Sequence, residues 1–213
     1  MKHLIIIGAR GWGREVLGMA RTFPQFSEGT YDIKGFLDDN AGALNGLRGN
    51  FPPILGAVET YLPQENDVFI CALGDCKYRR KYAEMILEKG GEFINLIHPG
   101  SIVSPYAKIG RGVIVSSWCS ISNNVDIGDF TMIHAFTALG HDVKIGAYNS
   151  IESYCFFGGY SQTGDNTTFH VRSAIIPHKR VGDNCTVGFG SVVMRNFGDN
   201  IHLFGNPAKK LDF

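Results

Sequence analysis

"ISNNVDIGDFTMIHAFTALGHDVKIG", residues 121–146, decides how the second half of this chain folds. Ile121, Ile127, Ile133, Leu139 and Ile145 recur every six residues, and the register holds far beyond the quoted stretch. It starts at Ile97, Val103, Ile109 and Val115 and continues through Ile151, Phe157, Thr163, Phe169, Ile175, Val181 and Val187 to Val193. Glycine often follows the key residue, and a small residue often sits four positions on, as at Cys119, Thr131, Thr137, Cys155, Thr167, Ser173, Cys185 and Ser191. A helix needs a period of 3.6 and a half-buried strand a period of 2. A strict period of six marks a parallel β-helix. Three such strands make a coil of eighteen residues, so the repeats predict between five and six coils. Positions eighteen apart then stack at the strand spacing of a sheet, about 4.8 Å. Cys119, Thr137, Cys155, Ser173 and Ser191 form one such column, and its two cysteines read as inward-facing packing residues.

Residues 1–96 have a different character. "HLIII" reads as a buried strand, and "GARGWGREVLGMAR" as a glycine turn running into a helix that starts near Gly13. "YDIKGFLDD" predicts a second strand ending in Asp38 and Asp39, "DVFICALGD" a third, "YRRKYAEMILEKG" a helix, and "EFINLI" a fourth strand. Strands alternating with helices imply a small parallel sheet. Gly8, Gly11 and Gly13 spell GxxGxG, not the dinucleotide fingerprint GxGxxG. Two readings stand side by side: a tight strand-to-helix turn, or a backbone that admits a phosphate at a helix N-terminus. Asp38 and Asp39 end a strand, where α/β sheets place acids that contact ligands.

The chain has 213 residues, 44% of them hydrophobic, with 20 basic and 20 acidic side chains. A zero net charge argues against a nucleic-acid surface or an anionic membrane as the main partner, and no apolar run reaches membrane-span length. Five cysteines without a CxxC pair suggest neither a disulfide framework nor a zinc knuckle, and fit a reducing cytoplasm.

The repeat resembles that of the hexapeptide acyltransferases. The succession of "GARGWG", "FLDD", "CALGD", "NLIHPGSIVSP", the repeats and the closing "FGNPAKKL" looks like the NeuD-like sugar acetyltransferases. That resemblance implies an α/β, Rossmann-like nucleotide-sugar domain over 1–96, then a left-handed parallel β-helix over 97–213. It further implies acetyl-CoA as acyl donor with no metal, a nucleotide-activated sugar as acceptor, a homotrimer and a place in surface polysaccharide biosynthesis. The acceptor would lie near Gly8, Gly11, Gly13, Asp38, Asp39 and Gly74. Gly159, Gly188, Pro207, Lys209 and Lys210 would contact the coenzyme, the lysines as point charges on its phosphates.

Family members place a catalytic histidine third in a hexad, followed by an acid. Matching the repeats puts that position on Asn123, which cannot act as a base. His141 is also third in its hexad, eighteen residues on, and Asp142 follows it. "GHDVKIG" also resembles the phrase around the catalytic histidine of lipid A acyltransferases. An imidazole can take the proton of an attacking hydroxyl or ammonium, and a carboxylate on its other nitrogen fixes the tautomer. His141 and Asp142 are therefore the expected catalytic pair. A second column, His134, Glu152 and His170, also runs at eighteen-residue spacing. It reads chiefly as a charge-neutralising ladder. Its rival reading is a metal-dependent hydratase like the β-helix carbonic anhydrases, and a third is a nucleotide-sugar-binding homologue without catalysis.

Overall fold

The computed structural model describes residues 1–211 of the chain. Two compact units divide between Leu96 and Ile97. The first is built on β1 (Lys2–Ile7), β2 (Tyr31–Leu37), β3 (Ile54–Gly56), β4 (Asp67–Cys71) and β5 (Glu92–Phe93). They form one sheet in the order β3-β2-β1-β4-β5, and every neighbouring pair is parallel. Leu4, Ile5, Ile6, Val68, Phe69 and Ile70 are fully buried, as strands covered on both faces must be. Helix α1 (Gly11–Ala20) buries Val16, Leu17 and Ala20, and α3 (Cys76–Glu88) buries Cys76, Arg79, Ala83 and Ile86. The strand order reverses between β1 and β4, which opens a crevice at their carboxyl ends.

The departures from expectation are local. The helix expected from Gly13 starts at Gly11. The single strand expected over 92–97 is two short ones, Glu92–Phe93 and Leu96–Ile97. Strand β3 and the one-turn helix α2 (Pro24–Ser27) carry too few residues to show a period, although Pro24 at the first helical turn fits its fixed φ.

The second unit is a parallel β-helix of two-residue strands. The hydrogen-bonded register is eighteen throughout: Ser120 pairs with Ala138 and Ile121 with Leu139, Ile127 with Ile145, and Ile133 with Ile151. The three sheets hold six, five and eight strands, and the six-stranded face gives six stacked layers. Ile121, Ile133, Leu139, Ile151, Phe157, Phe169 and Ile175 fill the core. The predicted small column is inward: Cys119, Thr137, Cys155, Ser173 and Ser191 are all buried. Burial pushes the Cys155 thiol up to about 11, which suits packing and not redox chemistry. The glycine after the key aliphatic has a steric cause. A Cβ on Gly146 would stand 2.4 Å from the Gly164 carbonyl oxygen in the next coil. The corners also repeat every six residues. Trp118, Asn124, Phe130, Phe136, Asp142, Tyr148, Tyr154, Tyr160, Asn166, Arg172, His178 and Asn184 all have φ between 53° and 63°, the left-handed conformation that turns the chain from one face to the next. Beyond the repeats, His202–Phe204 adds in parallel to Thr186–Val187, and Lys209–Lys210 pairs back on it in antiparallel fashion. No helix among the described residues is long and apolar enough to cross a membrane.

Candidate active site

The crevice of the first unit is a pocket of about 590 Å³ at the ends of β1, β2 and β4. Gly8, Asp38, Asp39 and Gly74 line it, together with Arg10, Trp12, Tyr78 and Tyr82. Gly11 and Gly13 are not among the lining residues. Gly13 instead makes room for packing, because a Cβ there would fall 1.8 Å from the Gly8 carbonyl oxygen. Gly8 has φ +98° and Leu73 close by, so it needs glycine on both counts.

The two acids play different parts. Asp38 accepts hydrogen bonds from the Ala9 and Asn40 N–H groups, each at 2.9 Å, and so ties the glycine turn to the end of β2. Asp39 is exposed and accepts from the Tyr82 hydroxyl at 2.7 Å. That bond, with burial second, pushes the Tyr82 phenol up to about 12. Asp75 caps α3 through the Lys77 and Tyr78 N–H groups. The buried Arg79 guanidinium donates to the carbonyls of Leu73 and Gly74 at 2.7 and 3.2 Å, bracing the β4–α3 turn from behind. The amino end of α1 has no side-chain cap and no acid in its first turn, which leaves its positive dipole end for an anion.

In the second unit, the register stacks His141 one coil beyond Asn123, and the Asp142 N–H donates to the Asn123 carbonyl. His141 Nδ1 lies 2.8 Å from Asp142 Oδ2. With Nδ1 protonated and donating, Nε2 keeps its lone pair. The ring is 58% exposed, so a reacting group can reach it. The hydrogen bond with the imidazole, helped by the Asn124 amide, outweighs the opposing desolvation and holds the Asp142 carboxyl below its usual range. A Cβ at Gly159 would sit 2.8 Å from both Cε1 and Nε2 of His141. The missing side chain therefore keeps the Nε2 edge open. Tyr160 meets His141 edge-on, with centroids 5.1 Å apart, and His178 stacks on the other side of Tyr160 at 4.9 Å.

In the His134, Glu152, His170 column, the contact shown is between Glu152 and His170. Glu152 Oε1 is 3.1 Å from His170 Nδ1, and Oε2 accepts the Val171 N–H. His170 stacks on Phe189. Among the described residues no three His, Cys, Asp or Glu side chains gather as metal ligands would.

Residues 3–86 match the PglD N-terminal domain model. GDP-perosamine N-acetyltransferase of Escherichia coli O157:H7 is 29% identical over 202 residues, 94% of this chain and 81% of that protein. The acetyltransferase domain of PglB from Neisseria gonorrhoeae, solved with acetyl coenzyme A, is 28% identical with a TM-score of 0.87 and covers 99% of each chain. PerB from Caulobacter crescentus, solved with CoA and GDP-perosamine, shares the fold with a TM-score of 0.87 at 24% identity, covering 100% of this chain and 98% of that one. Over nearly its whole length the chain is thus similar to acetyltransferases, the E. coli relative among them acting on a nucleotide-linked amino sugar.

The remaining residues that resemblance to the NeuD-like family singles out lie near the carboxyl end. Gly188 packs under the Phe204 ring, which a Cβ would meet at 2.5 Å. Pro207 is exposed, and Lys209 and Lys210 are exposed on the closing antiparallel strand. Sequence reasoning did not name Tyr160 or Asn124. The signal was available: 124, 142, 160 and 178 are successive additions of eighteen.

Proposed function

We propose that this protein transfers the acetyl group of acetyl-CoA to the amino group of a nucleotide-activated sugar, with His141 as general base and Asp142 as its orienting acid. The observation that carries this is the His141–Asp142 pair, with Nδ1 engaged and the Nε2 edge left open beside Gly159. Nε2 takes the proton as the sugar nitrogen attacks the thioester carbonyl. The C–S bond then breaks, and the imidazolium returns a proton to the departing thiolate. Backbone N–H groups beside the coil turns would stabilise the tetrahedral oxyanion. Similarity to proteins named as N-acetyltransferases supports an amine acceptor over a hydroxyl.

The crevice of the first unit takes the nucleotide. The amino end of α1 and Arg10 suit its phosphates, and Trp12 and Tyr78 offer aromatic surface to a base. Lys209, Lys210 and Pro207 are proposed contacts of the coenzyme. A homotrimer formed through the β-helix is supported by an exposed ring stack at one corner, Trp118–Phe136–Tyr154, with centroids 4.9 Å apart at each step. Acetyl-CoA as donor and five free thiols fit a cytoplasmic enzyme of surface polysaccharide synthesis. The test is a panel of GDP-, UDP-, dTDP- and CMP-linked amino sugars incubated with acetyl-CoA and read by mass spectrometry. An acetylated product from one class, dependent on enzyme, is the expected result. No product from any class would overturn the reading.

A further inference from the structure

We propose that Tyr160 and Asn124 are positioning residues that fix the tautomer of His141 by holding Asp142 between them. This rests on the reading of His141 as the base. Three polar side chains act on the Asp142 carboxylate. His141 Nδ1 lies at 2.8 Å from Oδ2, and Asn124 Nδ2 at 3.3 Å from Oδ1. The His141 hydrogen bond first, with Asn124 and then Tyr160 adding to it, favours the ionised carboxyl.

The donors besides His141 come from the coils on either side. Residues 124, 142 and 160 occupy the same left-handed corner position, with φ 57°, 59° and 61°. Asn124 therefore approaches the carboxylate from one coil and Tyr160 from the next. An unsupported aspartate on an exposed corner can swing into water and release the imidazole, which then populates either neutral tautomer. With both neighbours in place, the carboxylate stays turned toward Nδ1, so Nδ1 carries the proton and Nε2 the lone pair. Tyr160 has a second hold on the site. Its ring stands edge-on to His141 at 86°, backed by the parallel His178 ring. The hydroxyl and the ring are separable by substitution. Tyr160→Phe keeps the ring contact and removes only the donor. Asn124→Gly removes the amide while keeping the left-handed corner free of strain.

The experiment reads the tautomer directly. Protein labelled with 15N in its histidine rings is compared as wild type, Tyr160→Phe and Asn124→Gly at pH about 8.5, where an ordinary imidazole is neutral. His141→Asn assigns the signal. Wild type is expected to show the Nδ1–H tautomer. Both variants are expected to shift population toward Nε2–H. They should lose about 10-fold in kcat, a part of the usual general-base contribution, with the acetyl-CoA KM and the melting temperature unchanged. An unchanged tautomer population in both variants overturns the proposal, even where His141→Ala abolishes turnover and the base assignment stands. A tautomer shift in a protein that transfers no acetyl group supports the clamp and removes the base assignment instead.

Discussion

At His141 the account turns on one nitrogen. Nδ1 is engaged by Asp142, so Nε2 is the atom that must accept the proton. His141→Ala should leave the fold intact, because the side chain lies outside the core, and should lower kcat by about 10²–10⁴-fold. Asp142→Asn should lower it less, since the base remains and only its orientation and charge suffer. Steady-state kinetics at a fixed pH separates the two, and an Asp142→Asn defect equal to that of His141→Ala would contradict the division of roles. Gly159 makes a sharper test. Its φ does not require glycine, so Gly159→Ala strains nothing in the backbone, yet the new methyl would press on the Nε2 edge. The expected result is a kcat lowered by about 10-fold, as a displaced base loses part of its contribution, with an unchanged melting temperature. Full activity in Gly159→Ala would show that the Nε2 edge is not the working face.

Among the elements, two buried polar groups carry stability that the repeat pattern hides. Asn149 stands where most coils have a small residue. Its Nδ2 donates toward the Gly146 and Gly164 carbonyls and the Thr163 hydroxyl, and its Oδ1 accepts the Thr167 N–H at 2.6 Å. Asn149→Ala strands the Thr167 N–H and the Gly164 carbonyl, so it should cost about 2–4 kcal/mol, visible as a lower urea midpoint. In the first unit Asp67 is pushed up by burial. The Lys34 ammonium, the Gln64 N–H and the Tyr61 hydroxyl outweigh that and hold it below its ordinary value of 3.8. A lowered acid stabilises the fold above its unfolded-state pKa and loses that contribution as the pH falls through the folded one. Asp67→Asn should therefore flatten the loss of stability below pH about 4, and an unaltered acid limb would contradict this. The period of six made the β-helix, its eighteen-residue stacking and its inward cysteines legible, because each coil must present the same residue to the same core. The corner conformation was not read, since Trp118, Phe136 and Tyr154 carry none of the glycine or asparagine that usually signals left-handed φ. Asp38 could be placed at the end of its strand. That it holds the Ala9 and Asn40 N–H groups depends on how the glycine turn folds back, which no local pattern records.

For the whole molecule, the proposed function assigns the nucleotide to the crevice with the uncapped helix end and the base to the β-helix. The exposed Trp118–Phe136–Tyr154 stack predicts association through the β-helix. Sedimentation at micromolar concentration should give a trimer, and Trp118→Glu should shift it toward monomer; a wild-type monomer would contradict this. The pocket assignment predicts that Tyr82→Phe, which frees Asp39 from its hydroxyl partner, changes the KM of the nucleotide sugar and leaves that of acetyl-CoA alone. Equal effects on both would remove the crevice from acceptor binding. The central claim is tested most directly by the rate of acetyl transfer from acetyl-CoA to the preferred nucleotide amino sugar, wild type against His141→Ala, at one pH and with both proteins shown to be folded. The account predicts turnover that falls by about 10²-fold or more. Equal turnover in the two proteins, or turnover lost instead in His134→Ala or His170→Ala, would contradict it.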